Sequence, residues 1–236
     1  MHKERREVEA KFYLGKTLAS GKPTEQNLLA HSFIHDETRI ETDYLPDTPQ
    51  DDCKKHGLLF RLREVVDCNR RLMLVTIKVR KPSKNFLDFQ EIETIIPTTD
   101  TDTVERMEAM LQAATGIPES LSAFSVASDL TEARHLLADI GYTKTRIHSD
   151  KFRRTFKFKD SVASLDYFPE GMGLYLELES HSPVELKKLI SQLALDPSSA
   201  ITTDYGDLLK QHKASFSEQD RRKAIFTHEQ RAKLIS

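Results

Sequence analysis

Charged residues spaced two apart recur along this chain, and each set carries one kind of chemistry. Glu7 and Glu9, Glu91 and Glu93, and Glu177 and Glu179 are acidic pairs. Arg61 and Arg63, Lys78 and Arg80, and Lys151 and Arg153 are basic pairs, and Lys11 follows the first acidic pair at the same spacing. Paired carboxylates suit Mg²⁺ or Mn²⁺, hard cations that take oxygen ligands and bridge to phosphates. Arg grips a phosphate as a bidentate fork and Lys as a point charge. For any single pair the plain reading is a solvated strand face, where charge needs no explanation. The set reads differently. Acids and bases are segregated strand by strand, and rows of Lys and Arg facing one another across a sheet repel unless an anion lies between them. A polyanion with bound metal resolves both features.

Such spacing positions side chains only on strands, where residues two apart share a face. The opposite faces are apolar: Val8, Ala10 and Phe12; Phe60 and Leu62; Val75, Ile77 and Val79; Ile92; Phe152, Phe156 and Phe158; Leu176 and Leu178. Alternation predicts strands over Glu7–Leu14, Thr38–Leu45, Leu58–Val66, Arg71–Arg80, Phe86–Ile96, Lys151–Lys159, Ser161–Phe168 and Leu174–Glu179. Helices are expected over Thr24–His31, from a cap at Asp102 to Gly116, over Leu130–Ile140 with Gly141 as its stop, from the Ser182-Pro183-Val184-Glu185 capping box to about Leu193, and over Asp204–His212. Pro46–Gly57 reads as a mobile loop, Gly171-Met172-Gly173 as a turn, and Ser217–Asp220 as the cap of a final basic helix or a frayed tail. Closing the strands into a barrel gathers the charges around one axis and turns the apolar face outward, where helices must cover it. One domain over 1–212 with a helical insert at about 97–141, followed by a basic helix or tail over 213–236, is the expected organisation.

The bulk properties agree with a globular chain. It has 236 residues, 38% hydrophobic and 31% charged, with a formal net charge of −2. No global basic field draws it to nucleic acid or a membrane, so an anion site must be local. No apolar run reaches the length of a membrane span, and the N-terminal basic residues lack an apolar stretch behind them. The expected location is therefore cytoplasmic. Cys53 and Cys68 form no metal spacing and read as reduced thiols. The nine His form no HxH or HExxH spacing, and His31, His35, His148 and His181 read as surface or loop residues.

The ordered set of motifs resembles the CYTH superfamily, also called triphosphate tunnel metalloenzymes. Glu7-x-Glu9-x-Lys11 is similar to that family's ExExK signature. Thr42-Asp43-Tyr44, Arg61-x-Arg63, Thr76-x-Lys78, Glu91-x-Glu93, Lys151-x-Arg153, Asp166, Glu177-x-Glu179 and the Tyr205–Leu209 helix follow in the family's order. The resemblance implies an α+β fold, an antiparallel eight-stranded β-barrel or tunnel with a charged lumen and helices outside. It implies metal on Glu7, Glu9, Glu177 and Glu179, and triphosphate on Lys11, Arg61, Arg63, Lys78, Arg80, Lys151 and Arg153. Glu91, Glu93 or Asp166 would hold a second metal or polarise water. The chain departs from the family at Phe89, where an Arg is frequent, and in the length of the Pro97–Asp150 segment, which is closer to that of animal thiamine triphosphatases. It also has no Trp to serve as a platform for a thiamine ring.

The resulting expectation is a Mg²⁺- or Mn²⁺-dependent phosphohydrolase that releases orthophosphate from tripolyphosphate or a small organic or nucleoside triphosphate. The alternatives are a class IV adenylate cyclase, which would use the same cradle in another substrate register, and a polyphosphate-binding module without turnover. An unrelated barrel with solvated strand faces would show no triphosphate affinity. The expected partner is the small-molecule triphosphate, with no nucleic acid and no membrane; a homodimer is left open.

Overall fold

The computed structural model describes residues 5–82, 86–98, 100–118, 121 and 127–235. Its strands are β1 (Arg5–Gly15), β2 (Ile34–Asp47), β3 (Leu58–Val66), β4 (Arg71–Arg80), β5 (Leu87–Ile96), β6 (Lys144–Phe158), β7 (Ser161–Phe168), β8 (Gly173–Ser180) and the short β9 (Lys223–Ala224). The first eight pair antiparallel in the order β2-β3-β4-β5-β1-β8-β7-β6, and β6 pairs back onto β2, so the sheet closes into a ring. Closure sends the two strand faces to two environments. Most charged strand side chains point at the ring axis, joined at one end by apolar ones such as Leu45, Ile147 and Phe168, and the rest of the apolar set points outward.

The helices are α1 (Lys22–Ala30), α2 (Asp52–Lys55), α3 (Thr101–Thr115), α4 (Leu130–Asp139), α5 (Pro183–Gln192), α6 (Tyr205–His212) and α7 (His228–Ile235). Several of them cover the apolar outside of the ring. Met107 and Leu111 of α3, with Ala133 and Leu137 of α4, pack on Phe60, Leu62, Val75, Ile77 and Ile92. Leu28 of α1, with Leu186, Leu189 and Ile190 of α5, packs on Val8, Ala10, Phe12, Leu176 and Leu178. Leu234 and Ile235 of α7 join Phe226 against Ile40 and Phe152. Burying one such Leu or Phe contributes about 1.5–3 kcal/mol, so the helices stabilise the ring from outside while its interior stays charged. Among the described residues no helix is long and apolar enough to cross a membrane.

Several elements differ from the sequence expectation for identifiable reasons. The cap of α3 is Asp100, whose carboxylate accepts from the Thr103 N–H at 3.1 Å, two residues before the expected Asp102. Strand β6 begins seven residues earlier than expected, because 144–150 pair across the closure with β2, a contact local alternation cannot report. The Pro46–Gly57 segment is ordered by the buried Asp47 carboxylate, which accepts from the backbone N–H groups of Thr48, Cys53 and Lys54 at 2.8, 3.0 and 3.2 Å. Beyond α6, Ser217 opens only a short turn, and the chain is then strapped to the ring. The Phe226 N–H donates to Asp150 at 2.8 Å, and Arg231 donates to Asp150 and Thr42, each at 2.6 Å. Gly173, at φ +97°, admits no side chain, since a Cβ there would lie 2.6 Å from the Gly15 carbonyl oxygen.

Candidate active site

A cavity of about 250 Å³ runs inside the ring, and the acidic side chains that line it outnumber the basic ones. The acids concentrate on β1, β8 and β5. In register, Glu9 lies opposite Glu179 and Lys11 opposite Glu177. Glu7, Glu9 and Glu179 each bring a carboxylate oxygen to within 4.8 Å of the others. Lys78 donates to Glu7 at 2.6 Å and lies 3.3 Å from Glu91, while Lys11 pairs with Glu9. These cations do not offset the burial of so many carboxylates. Burial, with Glu177 and Glu7 nearby and only Lys11 and Lys78 opposing, raises Glu9 to about 7. Burial, then Glu7 and Glu177, raises Glu179 well above the carboxylate range. Burial raises Glu91 to about 7 against the pull of Lys78.

The bases concentrate on β3 and β6, and each is already met by a carboxylate. Arg63 forks onto Asp43 at 2.6 and 2.8 Å and reaches Glu41 at 2.9 Å. Arg153 forks onto Asp166 at 2.6 Å through both nitrogens and donates to Glu177 at 2.6 Å. Lys151 lies 3.2 Å from Glu41 and 3.4 Å from Asp166. Here burial, which alone would raise the acids, is outweighed. Arg63 and Arg61 bring Asp43 down to about 2, and Arg63 with Lys151 holds Glu41 well below the carboxylate range. Burial disfavours the charged form of Glu177 too, yet Lys11 and Arg153 hold it low.

The structure gathers most of the sequence-nominated residues around this cavity. Glu7, Glu9, Lys11, Arg61, Arg63, Lys78, Glu91, Glu93, Lys151, Arg153, Glu177 and Glu179 all line it. Asp166 is fully buried behind Arg153. Arg80 is apart from them, exposed at the end of β4 and not among the lining residues. Glu177 lies outside the cluster that the other three nominated metal ligands form, its carboxylate meeting Arg153 at 2.6 Å and Lys11 at 3.4 Å. Glu93 stands at the rim, accepting from Thr76 at 2.7 Å with Arg61 at 3.5 Å.

Other site residues were not nominated from sequence. Arg39 lines the cavity and Glu41 sits fully buried beside it; the Arg39-x-Glu41-x-Asp43 spacing on β2 carried the same period-two signal. Thr155 and Ser164 contribute inward hydroxyls. Tyr205, at the start of α6, packs its ring against Phe168 and Tyr175 with centroids 4.6 and 5.6 Å apart, and Lys11 and Lys151 approach it at 4.9 and 5.5 Å. Leu45, Ile147 and Leu209 join this cluster, so α6 packs across an apolar end of the cavity. Phe89, the departure from the family pattern noted in the sequence, places its ring 5.4 Å from the Lys78 ammonium.

The donor set fits a hard divalent cation. Three converging carboxylates, two of them raised by burial and mutual repulsion, form a site that a 2+ charge would relieve. Glu7, Glu9 and Glu179 are the residues that would hold it.

Comparison with known proteins agrees with this geometry. A family model described as CYTH domain matches residues 5–204. The PH1819 protein of Pyrococcus horikoshii OT3 has a similar structure, with a TM-score of 0.62 at 19% identity over 88% of this chain and 99% of that one. A candidate adenylate cyclase from Vibrio parahaemolyticus gives 0.57 at 19% identity, over 88% and 99%. The candidate adenylyl cyclase HpAC1 from Hippeastrum, described as having a dominant triphosphatase activity, gives 0.55 at 16% identity, over 88% and 96%. At these identities the likeness is one of fold. None of the curated proteins matches the chain.

Proposed function

The chain belongs to the CYTH domain family, and from that premise we propose that it is a divalent-metal-dependent triphosphatase that releases orthophosphate from a linear triphosphate. The observation that carries the reading is the division of one cavity into an acid-rich wall with raised carboxyl groups and a wall of buried Arg and Lys. A bare polyanion is repelled by the first wall, and a bare cation satisfies only that wall. A metal-bound phosphate chain suits both.

When bound, the metal would neutralise phosphate charge and favour water as a nucleophile. The remaining work falls to the chain's own groups. Arg61, Arg63, Lys151 and Arg153 are placed to hold phosphate oxygens and to stabilise charge that develops on the leaving phosphate. Lys11, within the acidic wall, and Lys78, on β4 between that wall and β3, orient the chain toward the acidic cluster. Asp166 is committed to the Arg153 fork, so it fixes that guanidinium rather than accepting a proton. Glu91 and Glu93, held by Lys78 and Thr76, are the carboxylates left to take the proton from an attacking water.

A cyclase must also seat a purine and ribose. The apolar lining that could do so is divided: Leu45, Ile147 and Phe168 pack beneath α6, and Leu59, Leu74, Phe89 and Val162 are interspersed with charged residues around the cavity, which favours hydrolysis. The test is to incubate the protein with tripolyphosphate, ATP and thiamine triphosphate, each with Mg²⁺ and with Mn²⁺, and to assay orthophosphate, pyrophosphate and cyclic AMP. Orthophosphate is expected, with tripolyphosphate or another small triphosphate preferred over ATP. Stoichiometric cyclic AMP and pyrophosphate from ATP would replace the reading with a cyclase. Tight binding without turnover would replace it with a binding module.

A further inference from the structure

Thr155 and Ser164 face each other across β6 and β7 as direct register partners. Both line the cavity, at 5% and 0% exposure, and neither Thr155 Oγ1 nor Ser164 Oγ has a hydrogen-bond partner among the described residues. Buried hydroxyls are nearly always satisfied, and each unpaired one carries a desolvation cost that an apolar residue of similar shape would avoid. Valine and alanine would fit this strand pair at no such cost. Hydroxyl groups here therefore point to a partner that enters the cavity.

Their position says what that partner is. Strand β7 lies between β8, which carries Glu177 and Glu179, and β6, which carries Arg153. Ser164 is opposite Glu177, and Val162, one inward position away, is opposite Glu179. Thr155 lies two residues from Arg153 on the same inward face. The pair thus occupies the seam between the acidic cluster and the guanidinium. A Lys or Arg at the seam would repel a cation held by Glu9 and Glu179, and a carboxylate would repel phosphate. A neutral hydroxyl avoids both penalties and can donate to a phosphoryl oxygen.

We propose that Thr155 and Ser164 form a neutral subsite that donates hydrogen bonds to phosphoryl oxygens where the ligand crosses from the acidic wall to Arg153. This rests on the triphosphate reading given above. It makes the pair a specificity element for a chain of phosphates: a single orthophosphate can sit on one wall, whereas a tripolyphosphate must span the seam.

The experiment is calorimetric titration of the full chain with tripolyphosphate in a methylene-bridged form that water does not cleave, and separately with orthophosphate, in the presence of Mg²⁺. Thr155→Val, Ser164→Ala and Thr155→Ser are compared with the parent, with melting temperatures measured on ligand-free samples. Thr155→Val and Ser164→Ala should each weaken tripolyphosphate binding about tenfold, the effect of losing one hydrogen bond to a charged group. Orthophosphate binding should change much less, and Thr155→Ser should retain the parent's affinity. The ligand-free melting temperatures of the two hydroxyl deletions should be equal to or above the parent's, because a merely structural hydroxyl would lower them when removed. Parent-like tripolyphosphate affinity in both deletions, against a parent that binds, would overturn the subsite and leave the triphosphate reading standing. A parent without tripolyphosphate affinity would overturn the triphosphate reading and the subsite with it.

Discussion

The two walls of the cavity bury similar numbers of charges and reach opposite electrostatic states. On the basic wall two guanidinium forks meet a carboxylate at hydrogen-bond distance, Arg63 on Asp43 and Arg153 on Asp166, while Arg61 donates to Thr76 with Glu93 at 3.5 Å. Arg63 and its neighbours hold Asp43 at about 2 and Glu41 well below the carboxylate range. On the acidic wall Glu7, Glu9 and Glu179 converge on one another, and Glu9 and Glu179 are raised by burial and by their neighbours. At Arg63 and Arg153 the first wall is internally compensated, and a ligand engages those two by exchanging one anion for another. The second is left short of positive charge, and that shortfall defines what it binds. The acid excess of the lumen also shows that basic pairs read along a sequence do not by themselves make a positive cavity.

The largest expected effect breaks the acidic wall by removing what it lacks. EDTA should reduce phosphate release to background, with recovery on adding Mg²⁺ or Mn²⁺. Glu9→Gln should lower kcat/KM by about 10³-fold, roughly 4 kcal/mol of transition-state stabilisation. Full turnover in EDTA would mean that the acidic cluster holds protons or lysines rather than metal.

A matched pair of charge deletions sharpens the contrast in stability. Arg153→Ala leaves Asp166 and Glu177 buried without their fork. Breaking a buried pair from one side costs about 3–5 kcal/mol, a fall of roughly 10 °C in Tm for a chain of this size. Glu179→Gln instead relieves repulsion from Glu7 and Glu177, while its contact with Arg153 is 3.9 Å. Metal-free Tm should be unchanged or higher. Equal losses in the two variants, measured by thermal unfolding in EDTA, would erase the distinction between the walls.

Much of the ring was legible because alternation is local. The expected bounds of β3, β4 and β7 coincide with those observed, since Leu58–Val66, Arg71–Arg80 and Ser161–Phe168 each alternate to their ends. What stayed illegible depends on closure. Glu177 has the same spacing to Glu179 as Glu7 has to Glu9, yet the register of β8 against β7 turns it to Arg153. Glu41 had its signal in Arg39-x-Glu41-x-Asp43, but its importance comes from Arg63 and Lys151 on two other strands. The hydroxyls of Thr155 and Ser164 are ordinary strand residues in sequence, and only burial without a partner marks them. The domain boundary at about 212 likewise gives no hint that Arg231 reaches back to Asp150.

Proton competition separates the walls by pH. Glu9 and Glu91 titrate near 7, and Glu179 is raised. The folded, metal-free protein therefore holds protons that the unfolded chain has released. The stability this gives is present below the unfolded carboxylate value and is lost as pH rises through about 7. A cation must displace the same protons, so Mg²⁺ affinity should rise between pH 6 and 8, by about tenfold per unit for each proton released. A flat titration series across that range would place the raised carboxyls outside the metal site.

The smallest effect comes from a group outside both walls and has the opposite sign. His148 is on the outer face of β6, its ring edge-on to Tyr44 with centroids 6.2 Å apart. Burial first, then the charges of Arg134, Lys223 and Arg231, lowers its pKa to about 4. As pH falls from 6.5, the unfolded chain takes up a proton at this position before the folded one does. Its contribution to stability is therefore present above the unfolded value and is lost between about 6.5 and 4. His148→Gln removes that term, so the acid side of a Tm-against-pH curve should become shallower by a few degrees, while Mg²⁺ affinity and its rise with pH stay as in the parent. Asp150, raised by burial and then pulled down by Arg231, titrates on the same outer face and stays in both proteins, so the difference curve isolates the imidazole. If His148→Gln instead altered the pH dependence of Mg²⁺ binding, the outer face would be coupled to the lumen through β6, and the two walls could no longer be treated apart from the shell that holds them.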